Sequence, residues 1–210
     1  MEINFETKSL IASAKLGNIE ALNKLFAKYQ QRVLRIVRLR LTPGMRQKLK
    51  LQSMDIVQEV FMYAFEHFED FEPKSEGHFL NWLSAKVKHY ICDRLHYVSR
   101  QKRSSEGGEI SVDQEYDNIN NTSVLKLQIA DDGTTPTQHI VKKESEALLD
   151  EILCQLDEED REIIINRNLE ELTFAEIGQM YGKSEDAVRK QYVRAFKKLM
   201  DLSEKAVKSE

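Results

Sequence analysis

The side chains best placed to do chemistry lie near the C-terminus. Arg189, Lys190, Gln191, Arg194, Lys197 and Lys198 recur at helical spacing and share one face. That face suits non-covalent recognition of a polyanion, with cations at phosphates and the N-terminal end of the helix at base edges. The segment just before it is built to position such a helix. Thr173 and Glu176 have the spacing of a capping box, Gly182 suits the left-handed residue that ends a first helix, and Ser184 can cap a second. Ala175 and Ile177 are expected to face inward where the helices meet, and Ala187, Val188, Tyr192, Ala195 and Leu199 to form the buried stripe of the second helix. Together these features read as a helix-turn-helix. The plainer alternative is a helical hairpin with a solvated basic face.

A second group of residues lies in the N-terminal half. Asp55, Gln58, Glu59, Met62 and Glu66 form a stripe apart from the apolar face of their helix. Such a stripe is either a solvated acidic face or a docking surface for a basic helical partner. Downstream, Phe71, Lys74, His78, Trp82, Lys86, Lys88, His89, Arg94, Arg100, Lys102 and Arg103 interleave aromatics with cations. Aromatic rings stack on unpaired bases while cations track the backbone, as single-strand binding requires. Phe79 is read as core, and Trp82 fits core and nucleic-acid contact equally. The polar loop 71–78 is a candidate pocket for a base pulled from the stack.

The elements that must carry these residues are helices. Three prolines and eight glycines in 210 residues favour long helices over strands and turns. Leu22, Phe26, Tyr29, Val33 and Ile36 predict a helix over 20–41, broken by Thr42-Pro43-Gly44. Val57, Val60, Phe61, Ala64, Phe65 and Phe68 mark the inner face of a helix over 53–68. Phe79, Leu83, Val87, Ile91, Leu95 and Val98 mark that of a third over 79–100. Helical pattern fades over 104–137, which reads as an acidic linker, and returns from Pro136 through Leu149, Ile152, Leu153, Leu156 and the run Ile163–Ile165. Two short helices, 173–181 and 184–202, complete the chain.

Charge narrows the function classes. The net charge is −4, yet Arg32, Arg35, Arg38, Arg40, Arg46, Lys48 and Lys50 form a basic stretch, as do 86–103 and 183–198, while 55–76 and 106–132 are acidic. Phosphate attraction dominates nucleic-acid affinity, so an acidic chain with basic patches suggests DNA contacts made with a partner's help. No apolar run approaches the ~20 residues of a membrane span, and the N-terminal residues lack the order of a secretion signal. Cys92 and Cys154 are far apart and outside any CxxC, so they read as reduced thiols. There is no phosphate loop and no Cys/His pair for nucleophilic attack. The expectation is a non-enzymatic protein without metal or cofactor. Asp55 and Glu59 at i, i+4 are the one weak metal alternative.

The runs SMDIVQEVFMYAFEHFEDF (53–71) and FLNWLSAKVKHYICDRLHYVSRQKR (79–103) resemble region 2 of bacterial sigma factors, and LDEEDREIIINRNLEELTFAEIGQMYGKSEDAVRKQYVRAFKKL (156–199) resembles region 4. With only a linker between them, the chain resembles the small extracytoplasmic-function (ECF) type. The resemblance implies an all-α fold of two small helical domains. These are region 2 over 14–103 and a region 4 helix-turn-helix over 137–202, joined by a flexible acidic linker over 104–136. It implies that Asp55, Gln58, Glu59 and Met62 dock on the clamp helices of core RNA polymerase. Lys74, His78, Trp82, Lys86, His89, Arg94 and Arg100 would meet the −10 promoter element. Ser184, Glu185, Arg189, Lys190, Arg194 and Lys197 would meet the −35 element. Partners are then core polymerase, promoter DNA and an anti-sigma factor, with a cytoplasmic location and no membrane insertion. The alternative is a stand-alone helix-turn-helix regulator.

Three departures from the family pattern stand out. Ala85 and Lys86 occupy the place of adjacent tryptophans in housekeeping members, which implies weaker melting. His89 replaces a frequent asparagine. Leu156-Asp157 replaces a usual leucine-proline, a change expected to affect the helix start more than function. The linker, thirty-odd residues at about 3.3 Å each, reaches roughly 100 Å. That exceeds the roughly 50–70 Å between elements 15–20 base pairs apart.

Overall fold

The computed structural model describes residues 5–72, 76–105 and 148–208. The first half consists of α1 (Phe5–Lys15), α2 (Ile19–Arg40), α3 (Pro43–Leu49), α4 (Ser53–Glu66) and α5 (Glu76–Ser105). The second half opens with α6, described over 148–155. It continues with α7 (Glu158–Ile164), a π-helical turn (Ile165–Leu169), α8 (Phe174–Tyr181) and α9 (Glu185–Lys208). No strand occurs among the described residues.

The apolar period of α2 does what the sequence predicts. Leu22, Phe26, Tyr29, Val33 and Ile36 are all buried, and Asn18 caps the helix by accepting the Ala21 amide at 3.0 Å. Phe26 stacks on Phe61 of α4 at 4.7 Å, and Phe79 of α5 closes the cluster against Tyr29, Phe68 and Phe71. Offset and edge-on pairs of this kind add to the burial of the rings themselves. Phe65, expected on the inner face of α4, is instead 40% exposed. It lies four residues after Phe61, and the helix turns it past the edge of the packed face.

Two helices were not expected. α1 packs on α2 through Ile11 and Ala14. Thr42-Pro43-Gly44 does end α2, but it also starts α3, because proline is well suited to a first helical turn. Arg46 of α3 donates to the Leu41 and Arg38 carbonyls at 3.0 and 3.3 Å and so closes the C-terminus of α2. α5 is longer than the predicted 79–100, beginning within the segment read as a loop.

In the second half, Asp157 caps α7 by accepting the Asp160 amide at 3.0 Å. The leucine-proline departure is thus a change of helix-start chemistry, as expected. The isoleucine-rich helix is present, but after Ile164 it winds into the π turn, closed by Glu170 N–H to the Ile165 carbonyl at 3.1 Å. Glu171 follows in the left-handed region at φ 60°, a conformation uncommon for a residue with a side chain.

The two halves are packed on each other. Ile152, Leu153, Leu156, Ile164, Ile165, Ala195 and Leu199 belong to the same contiguous apolar cluster as the cores of α2, α4 and α5. A smaller cluster of Ile163, Leu172, Ile177 and Val188 sits inside the C-terminal helix-turn-helix.

Candidate nucleic-acid interface

The helix-turn-helix is assembled by local hydrogen bonds. Thr173 Oγ1 accepts the Glu176 amide at 3.2 Å, and Glu176 accepts the Thr173 amide at 2.8 Å, completing the capping box. The Thr173 hydroxyl and then its amide hold the Glu176 carboxyl below the usual carboxylate range. Gly182 ends α8 at φ 62°. Ser184 Oγ accepts the Ala187 amide at 3.3 Å and starts α9. Each of these was legible in the sequence. The close approach between the helices falls elsewhere than expected. Ala175 and Ala187 are exposed, and Gly178 is the buried small residue, where a Cβ would stand 2.6 Å from the Lys183 carbonyl.

On the outer face of α9, Arg189, Lys190, Arg194 and Lys197 are exposed. Arg189 pairs with Glu185 at 2.6 Å and lies 5.5 Å over the Phe174 ring, which holds its guanidinium near the helix start. Two residues read as part of this face are otherwise employed. Gln191 is buried, with its carbonyl accepting Lys183 Nζ at 2.9 Å. Lys198 bridges Asp157 at 2.9 Å and Asp160 at 2.5 Å and ties α9 to the start of α7. The cause in both cases is the acidic first turn of α7, which attracts the nearest donors of α9.

In the N-terminal half, α4 presents Asp55, Gln58, Glu59, Met62 and Glu66 to solvent. Asp55 also accepts the Gln52 amide at 2.8 Å, so it holds the start of α4 as well as facing outward. Along α5, Trp82 is half-buried, with its ring 5.1 Å from Phe71 and 6.0 Å from Phe79. Phe71 and Phe79 are buried core. Trp82 therefore has one side in the aromatic cluster and keeps partial access to solvent. Lys86 donates to the Tyr63 hydroxyl at 2.9 Å, and Tyr63 stacks on His67. Arg94 donates to the Tyr90 hydroxyl at 3.2 Å. Burial, opposed by Arg94, pushes the Tyr90 phenol up, and Glu59 and Asp55 add to the rise. His89 and Arg100 are exposed and His78 is half-buried. Lys74 lies outside the described residues, as do the side chains of Lys102 and Arg103.

A further cluster escaped sequence reasoning. The basic stretch of α2 meets the acids of the C-terminal half. Arg32 bonds Glu171 at 2.9 Å and the Leu169 carbonyl at 2.8 Å, and Arg35 bonds Asp150 at 3.1 Å. Arg40 is buried and grips both oxygens of Glu162, at 2.8 and 3.0 Å, and Glu170 at 2.8 Å. It also donates to the Ser84 hydroxyl and, at 3.1 Å, to the Ser84 carbonyl. Ser84 in turn donates to Glu170 at 2.5 Å. One signal could have exposed this cluster. Arg40 follows Val33, Ile36 and Val37 at helical spacing, so it occupies a core-facing position.

Among the described residues, no group of three or more His, Cys, Asp or Glu is placed to hold a metal ion. Cys92 and Cys154 are free, and no described helix is long and apolar enough to cross a membrane.

Comparison with known proteins places this geometry. The family model described as Sigma-70 region 2 matches residues 25–103, and that described as Sigma-70, region 4 matches residues 152–208; together they cover more than half the chain. The chain is 23% identical over 188 residues to the ECF RNA polymerase sigma-E factor of Haemophilus influenzae, with 90% of each chain covered. Among solved structures, CnrH in complex with the cytosolic domain of CnrY is similar in fold, with a TM-score of 0.55, 20% identity, and 95% and 97% of the two chains covered. The sigma factor RpoE bound to the anti-sigma factor NepR, from Bartonella quintana, matches with a TM-score of 0.42 and 18% identity, over 84% of this chain and 97% of that one. With regions 2 and 4 present in order on one all-helical chain, this protein belongs to the sigma-70 family, as a sigma factor of the ECF type.

Proposed function

We propose a division of labour within an established role. The chain is a sigma factor, which binds core RNA polymerase and directs promoter-specific initiation. In our reading, region 2 spans 14–103, a linker spans 104–136, and region 4 spans 137–202. Asp55, Gln58, Glu59 and Met62 dock on the polymerase clamp helices. His78, Trp82, Lys86, His89, Arg94 and Arg100, with Lys74, meet the −10 element. Arg189, Lys190, Arg194 and Lys197 meet the −35 element, with Ser184 and Glu185 setting the start of the recognition helix.

The observation that carries this reading is the outward face of α9. It leaves four exposed cations on a helix whose start is fixed by a capped turn. The half-buried Trp82 supports a wedge beside an opened strand, because its inner side is anchored by Phe71. The sigma-70 family is one of non-enzymatic initiation factors, and we read this member as having no catalysis of its own. We place it in the cytoplasm, where polymerase works, with an anti-sigma factor as antagonist. Run-off transcription with core polymerase over a genomic promoter library tests the assignment. Transcripts that depend on the protein and start at shared −10 and −35 sequences are expected. Tight promoter binding by the protein alone, with no effect on polymerase, would favour the stand-alone regulator.

A further inference from the structure

The basic stretch over 32–50 divides into two sets of cations. Arg32, Arg35 and Arg40 are engaged by acids. Arg38, Arg46, Lys48 and Lys50 are exposed, and none of them pairs with a carboxylate among the described residues. The sequence supplies them with no local partner, since no acid occurs between Glu20 and Asp55. Met45 and Leu49 pack against the core and fix the backbone of α3 beneath these side chains. Lys50 ends α3 in the left-handed region at φ 55°.

Folding brings this set against a second acid-free segment. Lys48 Nζ donates to Ser99 Oγ at 3.4 Å, which places α3 beside the distal turns of α5. Arg100, the next residue, is exposed, and no acid occurs between Asp93 and Glu106. The C-terminal end of a helix favours a cation in its last turn, which accounts for Lys48. It does not account for Arg38, Lys50 and Arg100, which reach the same end of the bundle from α2, from beyond α3 and from α5. Like charges gathered without counter-charges repel one another in the free protein, and a polyanion relieves that repulsion.

We propose that Lys48 and Lys50, with Arg100 beside them, bind the phosphate backbone of the duplex that leads upstream from the −10 element. The proposal deepens the sigma-factor reading and rests on its placement of α5 against that element. The direction follows from the order of the chain. Trp82, near the start of α5, faces the opened strand, whereas the far end of α5 leads into the segment that joins region 4, the reader of the upstream element. Arg100 lies eighteen residues beyond Trp82. At about 1.5 Å per residue that is roughly 27 Å along the helix. Duplex DNA covers this distance in about eight base-pair steps at about 3.4 Å each. α3 therefore widens the footprint of α5 on a stretch of DNA that is still paired. Lysines on phosphates carry no base preference, so the contact adds affinity and register without reading the sequence of this stretch.

The test is the salt dependence of promoter binding by the full chain with core polymerase. Lys48→Gln with Lys50→Gln removes two exposed charges and no packing. The slope of log affinity against log salt is expected to become shallower by about 1.8, at about 0.9 per phosphate, which is roughly a twelve-fold difference over a fourfold rise in salt. The variant Lys48→Arg with Lys50→Arg keeps the charges and should keep the wild-type slope. A second fragment carries uncharged methylphosphonate linkages over the duplex just upstream of the −10 element. On it the glutamine variant and the wild type should bind alike. Equal slopes on the native fragment overturn the proposal, as does an undiminished difference on the neutralised one. Weaker pull-down of core polymerase by the glutamine variant also overturns it and makes the patch a protein-docking surface. A wild type that fails to carry core polymerase to any promoter strikes instead at the sigma-factor reading, and the proposal falls with it.

Discussion

Gly178 and the carbonyl of Lys183 are so close that a single added methyl carbon would stand 2.6 Å from the oxygen. The contact is between α8 and the turn that leads into α9, so the angle between the two helices of the DNA-reading module depends on the missing side chain. The obstacle is backbone, which cannot swing aside as a flexible side chain can.

Gly178→Ala should therefore destabilise region 4. Overpacking of this kind typically costs about 1–3 kcal/mol. A thermal melt followed by circular dichroism should show the loss, and transcription from promoters that depend on the −35 element should fall. An unchanged melting temperature would mean that the turn relaxes at little cost.

The exposed stripe of α4 gives the second prediction. Gln58→Ala with Glu59→Lys should weaken binding to core polymerase while leaving the fold intact, because neither side chain is buried. Loss of a charge pair buried in the interface costs about 2–5 kcal/mol, and less at a rim. Pull-down of core polymerase measures the effect, and unchanged recovery with full helicity would move the docking surface elsewhere. Asp55→Ala is a poorer probe, since Asp55 also caps α4.

The two DNA-reading surfaces should respond differently to a pre-opened template. Arg189→Ala removes a candidate duplex contact worth about 1–3 kcal/mol, and a bubble at the −10 position should not restore the lost transcript. Trp82→Ala removes a half-buried ring, so it should lower thermal stability and also weaken contact with the opened strand by about 1–3 kcal/mol. A pre-melted template should recover part of that activity. Equal rescue of both variants would overturn the division of labour.

Glu162 makes the packing of the two halves pH-dependent. Burial raises its carboxyl, but the Arg40 guanidinium, with help from Lys88 and Arg161, outweighs burial and holds it below the usual value of 4.5. Also facing it are Ser84 and Glu170, through Arg40. A carboxyl lowered in the folded state contributes stability above its unfolded value and loses that contribution as pH falls through the folded one. Thermal stability followed by circular dichroism should thus keep this contribution from pH 7 to about 5 and lose it below about 4.5. A loss of stability between pH 7 and 6 would point to another group.

The sequence reveals what is local. The helices show in periods such as Leu22-Phe26-Tyr29-Val33, and the capping box and Gly182 are signals spanning a few residues. What it hides is set at long range. Arg40 and Glu162 are 122 residues apart, and nothing near either names the other. The exposed cations of α9 are readable from periodicity, but the diversion of Lys198 and Gln191 depends on Asp157, Asp160 and Glu159, brought near only by folding. Region 4 as a whole shows clearly in the spacing, while its docking on region 2 leaves only a misplaced arginine as a trace.

The π turn over Ile165–Leu169 carries a constraint on chain length. Such a turn is an α-helix into which one extra residue has been wound. Deleting one residue there would restore ordinary winding and rotate everything downstream by about 100°. Glu170 and Glu171 would swing off the face of α2, and α9 would leave its register against α7. A substitution at the exposed Asn168 should therefore be far easier to absorb than the gain or loss of a residue anywhere in 165–169, and a chain of different length there would have halves that meet differently.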